Sequence, residues 1–215
     1  IVKSSYNEQG IVSLNKEYCG YSWYFRSIKI HSEVENLSIN NINNYSRLII
    51  PYFYGVLGNP YKSISFNYNS LIEVIDLYSK IWTNKNNEKA PIHGDFSLGN
   101  IIFKKTESFY PIIIDWEHFK IDAAPWGFDL VNMLYESVFF SFGGKSKLSN
   151  KDVDSYVRVK RYILSVLDSR FCMICTVNKL TSFIIDNSKL WNGVIVKLPV
   201  MKFSENQLNF INKID

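Results

Sequence analysis

The stretch PIHGDFSLGNIIF, residues 91–103, constrains this chain more than any other. An apolar run is broken by His93, Gly94 and Asp95, and apolar character returns only after Asn100. A strand has no use for His, Asp and Asn at fixed offsets in its middle, so these residues form a polar loop between two strand-like pieces. The next apolar piece, YPIIIDW, carries Asp115, and the polar KKTES separates it from NIIF, so the two pieces are expected to pair as a hairpin. A loop reading H-x-D-x-x-x-x-N, followed by a hairpin that closes on a second aspartate, fits the needs of phosphoryl transfer. That reaction wants an acceptor hydroxyl held in line, a base for its proton, and metal ions on the phosphate oxygens. On this reading Asp95 is the base, Asn100 turns back to offer a neutral carbonyl oxygen to the metal, and Asp115 is the charged metal ligand. Oxygen donors suit Mg²⁺, which keeps several waters and takes few ligands from protein. A lone Asp or Asn in a loop is ordinarily a turn or a cap; here the joint spacing carries the chemistry.

The rest of the chain supplies a mixed set of elements. IVKSS reads as a strand, and SLNKEYCGYSWYFR, from Ser13 to Arg26, as a helix. The Asn-rich NLSINNINNYS is expected to be a turn leading into a second strand within RLIIPYFYGVLG, where Pro51 ends the pairing. NSLIEVIDLYSKIWTN is an amphipathic helix, with Ser70 and Glu73 as a capping box and Leu71, Ile75, Tyr78 and Trp82 on one face. From Gly127 onward the patterning is mainly helical, in FDLVNMLYESVFF, DVDSYVRVKRYILSVLD and SENQLNFINK. The class expected is α+β, with a small sheet-bearing N-terminal part and a larger helical C-terminal part.

Composition narrows the partners. With 215 residues and 47% apolar content the chain can bury one core or two small lobes sharing one. A net charge of +4 without a basic arm gives no nucleic-acid signature. No apolar run reaches the ~18 residues that would span a bilayer, and no secretory leader pattern is present, which points to a cytoplasmic protein. Cys19, Cys172 and Cys175 form no disulfide framework, and the C-x-x-C of the last two lacks the second ligand pair that zinc requires. They read as small apolar residues on one helical face, in a reducing compartment.

HGDFSLGNIIF and IIIDWEHFKIDAAPWGFDLVNMLYE resemble the catalytic and metal-binding segments of the aminoglycoside phosphotransferase and choline kinase superfamily, relatives of the protein kinases. In those families the first segment reads HGD or HND with an Asn five after the Asp. The second reads I-D-[FW]-E with a downstream D-[IL], matched here by Asp129 and Leu130. Asn132 and Glu136 echo the D-I-x-N-x-x-x-E of choline and ethanolamine kinases. The resemblance is strong over residues 91–136 and weaker elsewhere.

It implies a protein-kinase-like fold that binds ATP with Mg²⁺: a truncated N-terminal lobe over residues 1–55, a hinge near 50–55, and a catalytic lobe over 56–215. It makes Asp129 a structural brace that holds the 93–100 loop through backbone N–H groups, and His93 a packing and hydrogen-bonding residue of that loop. It assigns Lys3 to the nucleotide phosphates and Glu17 to orienting that lysine, with Glu8 as a competing candidate in a loop. It places Ile50, Pro51, Tyr52 and Phe53 along the adenine edge. Protein kinases carry a lysine two residues after the catalytic aspartate; Ser97 stands there, so the acceptor is expected to be a small hydroxyl compound such as an aminoglycoside, choline, ethanolamine, a sugar or a saccharide headgroup. Tyr156, Tyr162, Trp191 and Asp186 are the side chains available to hold a cationic acceptor, and core packing is the competing assignment for the aromatic ones. The chain departs from the family in having no Gly-rich loop before Lys3 and in reading Phe-Ser-Leu after Asp95. The alternative is a truncated or degenerate pseudokinase that binds nucleotide or a partner without turnover.

Overall fold

The computed structural model describes residues 1–29, 35–83, 89–103, 111–171 and 202–214, with backbone alone for 168–171. The class is α+β, with small antiparallel sheets and helices packed around them. Strands β1 (Val2–Ser5), β2 (Ser38–Ile42) and β3 (Tyr45–Ile49) form one sheet in the order β1-β3-β2. Its register pairs Lys3 with Leu48 and Ile42 with Tyr45. The Asn-rich stretch is therefore itself strand, turn and strand. Asn43 sits at φ +50° in the two-residue turn, a backbone region that Asn tolerates better than most residues.

Helix α1 (Glu8–Ser27) begins five residues before the expected Ser13, because the Asn7 side chain caps it by accepting from Gly10 N at 2.7 Å. Glu8 is thus the first helical residue rather than a loop residue. Strand β3 stops before Pro51 as expected, and the chain then enters β4 (Val56–Leu57). Helix α2 (Tyr68–Ile81) starts two residues ahead of its expected cap. Ser70 lies inside the first turn, so the Ser70–Glu73 capping box does not form. Asn67 occupies the cap position and spends its amide on Asn59 O and Lys62 O instead.

Strands β5 (Ala90–Ile92), β6 (Ile101–Phe103), β7 (Ile112–Ile113) and β8 (Lys120–Ala124) form two further small sheets, ordered β4-β6-β7 and β5-β8. The expected hairpin is present as β6 and β7, paired Ile101 to Ile113 and Ile102 to Ile112. Its turn, KKTES, lies outside the described residues, as do Cys172, Cys175, Asp186 and Trp191. Helices α3 (Phe128–Phe142), α4 (Asn150–Phe171) and α5 (Glu205–Ile214) complete the C-terminal part. Among the described residues no helix is long and apolar enough to cross a membrane.

The core is built from aromatic rings. Trp82 stacks on Tyr78 with centroids 4.0 Å apart, and Trp23 of α1 meets Trp82 at 4.8 Å. Trp116 lies at 5.8 Å from Trp23 and 4.6 Å from the His93 ring. The indole N–H groups of Trp82, Trp116 and Trp126 donate to the carbonyls of Pro91, Ile113 and Trp82, so these large apolar bodies are buried with no orphaned donor. This packing ties α1 to the segment 111–119. Gly20 makes the approach possible: a Cβ there would lie 2.5 Å from the Trp116 Cβ.

Candidate functional site

The 93–100 loop leaves the buried strand β5 and returns through a 3-10 turn (Leu98–Asn100) into β6. Asp129, in the first turn of α3, is fully buried and accepts from His93 N at 2.8 Å and from Gly94 N at 3.4 Å. This is the backbone brace expected of it. Burial pushes the Asp129 carboxyl up to about 7; the two N–H groups oppose that rise, and the Asp95 charge adds to it.

His93 is equally buried, and burial pushes its imidazole down to about 4, so the ring is neutral. Asp95 N donates to Nδ1 at 3.3 Å, which leaves the proton on Nε2, 2.9 Å from the Ile114 carbonyl. The ring thus holds the loop beside the β7 exit. Gly94 lies at φ +90°, with His118 O where a Cβ would point, so this position excludes a side chain on two counts.

Asn100 turns back on the loop as its spacing requires. Its Nδ2 donates to Asp95 O at 2.8 Å and to Asp95 Oδ2 at 3.1 Å, leaving the amide oxygen for another partner. Its main-chain carbonyl accepts from Ile114 N at 2.9 Å. The hairpin register therefore sets Asn100 across from the residue that precedes Asp115. Asp115 itself has φ +66°, a left-handed conformation that costs a non-glycine residue about 1 kcal/mol.

Lys3 joins the site from β1. Its Nζ lies 2.8 and 3.0 Å from the two Glu17 carboxylate oxygens and 2.9 Å from Asp115 Oδ1. Residues 3 and 115 are thus brought into contact across 112 positions. Glu17 is 1% exposed, so it is the partner chosen, and Glu8 has no part in the cluster. Burial alone would lower the Lys3 ammonium, but the bonds to Glu17 and Asp115 overcome it and hold it above its ordinary value. Burial likewise lifts the Glu17 carboxyl, against the pull of Lys3.

The donor set matches what Mg²⁺ takes from a protein. Asn100 offers its amide oxygen and Asp115 its second carboxylate oxygen, both hard and few in number. Among the described residues no three His, Cys, Asp or Glu side chains converge as a closed transition-metal site would require.

The segment expected to line an adenine edge divides. Ile50 and Phe53 turn into the core at 2% and 8% exposure, and Phe53 packs on Phe25. The Ile50 main chain is also occupied on both sides, by Ile1 O at 2.8 Å and the Ile1 amino group at 2.7 Å. Ile50 therefore has no edge to offer a base. Tyr52 is exposed and meets Tyr54 edge to face at 4.7 Å.

A cleft of about 560 Å³ opens beside Asp95 and Asn100, walled by Ser97, Tyr61, Glu136 and Phe140. Tyr61 and Phe140 meet edge to face at 4.8 Å. Burial pushes the Glu136 carboxyl up to about 7, the Asp95 charge adding to the rise while Lys202 and the Ser97 hydroxyl oppose it. Glu136 was legible only as a motif echo and Ser97 only as the residue standing where protein kinases carry a lysine; the usable signal for Glu136 was a glutamate one turn after Asn132 and one before Phe140, the only glutamate of its helix. Two of the side chains considered for a cationic cage sit elsewhere: Tyr156 is fully buried, and the Tyr162 hydroxyl is bonded to Asp76. No protein-family model matches the chain, and no curated protein matches it.

Proposed function

We propose that this chain has a protein-kinase-like fold and transfers the γ-phosphoryl group of ATP to a hydroxyl of a small molecule. One observation carries the reading: Lys3 lies within 3.0 Å of both Glu17 and Asp115, three residues from separate segments, while Asn100, bonded to Asp95, pairs across the hairpin with Ile114, the residue before Asp115. Catalysis of this reaction is almost entirely positioning and electrostatics, and each group has one task in it. Asp95 takes the proton of the acceptor hydroxyl as its oxygen bonds to phosphorus and the bond to the leaving β-phosphate oxygen breaks. Lys3, oriented by Glu17, donates to the nucleotide's phosphate oxygens. Asn100 and Asp115 would hold Mg²⁺, which when bound neutralises charge on the phosphoryl oxygens. Tyr52 and Phe53 supply the adenine edge through their backbone, and Ile50 is withdrawn from that role.

The cleft walled by Asp95, Ser97, Glu136, Tyr61 and Phe140 is the acceptor side. Carboxylates together with ring faces favour an acceptor that carries a cationic amino group beside its hydroxyl. The test is a phosphotransfer assay with Mg-ATP over a panel of amino alcohols, aminoglycosides and sugars. One acceptor should stimulate ATP consumption, and Asp95→Asn should lower that rate by ~10²–10⁴. Nucleotide binding without turnover on any acceptor would assign the chain to the pseudokinase alternative.

A further inference from the structure

Three residues of α1, Glu17, Tyr21 and Tyr24, fall on one face of the helix at the i, i+4, i+7 spacing. All three act on the segment that ends at Asp115. The Tyr24 hydroxyl accepts from Ile113 N at 3.2 Å and donates to Pro111 O at 3.2 Å. The Tyr21 hydroxyl accepts from the backbone N–H of Asp115 at 3.1 Å. Glu17 acts through Lys3, which holds Asp115 Oδ1. Both tyrosines are buried, at 3% and 0% exposure; losing the Tyr24 hydroxyl leaves the Ile113 N–H unpaired in the interior, and losing the Tyr21 hydroxyl takes the partner from the half-buried Asp115 N–H. Asp115 is also one of four non-glycine residues with positive φ among those described. A conformation of that kind persists only where its surroundings over-determine it.

From this geometry we infer that Tyr21, with Tyr24 behind it, is a positioning residue: its hydroxyl fixes the left-handed backbone of Asp115 and so aims the carboxylate at the metal. The inference rests on the phosphotransfer reading for the identity of the metal, but its geometric core does not. The opposite side of the segment is held independently, by Asn100 O on Ile114 N and by His93 on Ile114 O. Removing the α1 contacts should therefore loosen the aim of Asp115 without unfolding the loop.

The experiment uses the full chain with Tyr21→Phe, Tyr24→Phe, Asp115→Asn and the Tyr21→Phe/Asp115→Asn pair. Thermal-shift titration of Mg²⁺ at fixed ATP should give a half-saturating concentration about tenfold higher in Tyr21→Phe, while binding of metal-free ATP is unchanged. Tyr24→Phe should show a smaller shift of the same sign. In the paired variant Tyr21→Phe should add nothing to the effect of Asp115→Asn, since both act on one ligand. Hydrogen exchange at the Asp115 amide should be faster in Tyr21→Phe and unchanged at Gly94. A purely structural tyrosine would instead lower thermal stability, leave the Mg²⁺ dependence unmoved and add to Asp115→Asn; that result overturns the inference. If the wild-type chain binds no Mg-ATP, the phosphotransfer reading fails. Amide exchange then decides the positioning claim alone, equal rates at Asp115 in wild type and Tyr21→Phe refuting it.

Discussion

Replacing Lys3 by methionine isolates what the buried ion pair does. The two partners are unequally placed, with the Lys3 side chain 37% exposed and that of Glu17 2%. Without Lys3, Glu17 is a carboxylate in the interior with its counter-charge gone, the arrangement that breaking a buried pair makes expensive. Glu17 can escape by taking up a proton, and that escape sets a ceiling. Protonating an ordinary glutamate of pKa ~4.3 at pH 7 takes about 3.7 kcal/mol, at 1.36 kcal/mol per unit. Lys3→Met should therefore lose about 3–4 kcal/mol at pH 7, and only about 1 kcal/mol at pH 5.

The sign follows from linkage. In the variant the folded-state pKa of Glu17 lies above its unfolded value, so stability is retained below ~pH 4.3 and is lost as pH rises through the folded pKa. Glu17→Gln is a milder change, because Lys3 keeps Asp115 and its share of solvent; about 1 kcal/mol is expected. In the Lys3→Met background Glu17→Gln should recover most of the loss and abolish its pH dependence. Urea unfolding followed by tryptophan fluorescence and far-UV circular dichroism, at pH 5 and pH 7, measures all four corners of the cycle. A Lys3→Met loss below ~1 kcal/mol at pH 7, or an equal loss at both pH values, would refute the burial argument.

Further expectations concern the loop, the helix contact and the cleft. The folded His93 imidazole titrates at about 4 against an ordinary 6.5, so wild type should lose stability as pH falls from 6.5 towards 4. That loss amounts to about 3 kcal/mol at the low end, and His93→Gln should be free of it when the two urea curves are compared; the comparison cancels Asp129 and Glu136, whose raised values act with the opposite sign over the same range. Gly20→Ala would ordinarily stabilise a helix by ~0.5–1 kcal/mol. Here the added Cβ meets the Cβ atoms of Trp116 and Phe119 at 2.5 and 3.0 Å, and a lowered urea midpoint is expected. Glu136→Gln should raise KM for a cationic acceptor on the order of tenfold and leave KM for ATP unchanged, as read from initial rates.

Much of the site was legible because its spacing is local. Asp95 and Asn100 lie on one loop, and Asp115 closes the adjoining hairpin, so counting positions was enough to set Asn100 against Asp95 and opposite Ile114, the residue before Asp115. Asp129 was legible by resemblance, and its bonds to His93 N and Gly94 N are the brace that resemblance implied. Lys3 and Glu17 appeared in the right order, strand then helix, but order alone does not choose between Glu17 and Glu8; burial does, and burial is a property of the assembled core. An apolar run does not disclose which of its residues face inward, so the sequence alone did not separate Ile50 and Phe53, whose side chains enter the core, from the exposed Tyr52. The boundaries of α1 and α2 moved because asparagines took the cap positions: Asn7 through a side-chain bond, Asn67 while spending its amide on neighbouring loop carbonyls. Strand β8, KIDAA, was missed because it carries charge at both Lys120 and Asp122 and owes its pairing to β5 rather than to any alternation of its own.

The indole of Trp23 is carried by α1, while those of Trp82 and Trp116, its neighbours at 4.8 and 5.8 Å, belong to later segments of the chain. Chromophores this near one another couple their electronic transitions, and the coupled near-ultraviolet band depends on their mutual angle. The molecule therefore contains an unlabelled optical gauge of how α1 is seated. A ligand that shifts the helix by a fraction of a turn will register in the circular dichroism spectrum before any product is formed.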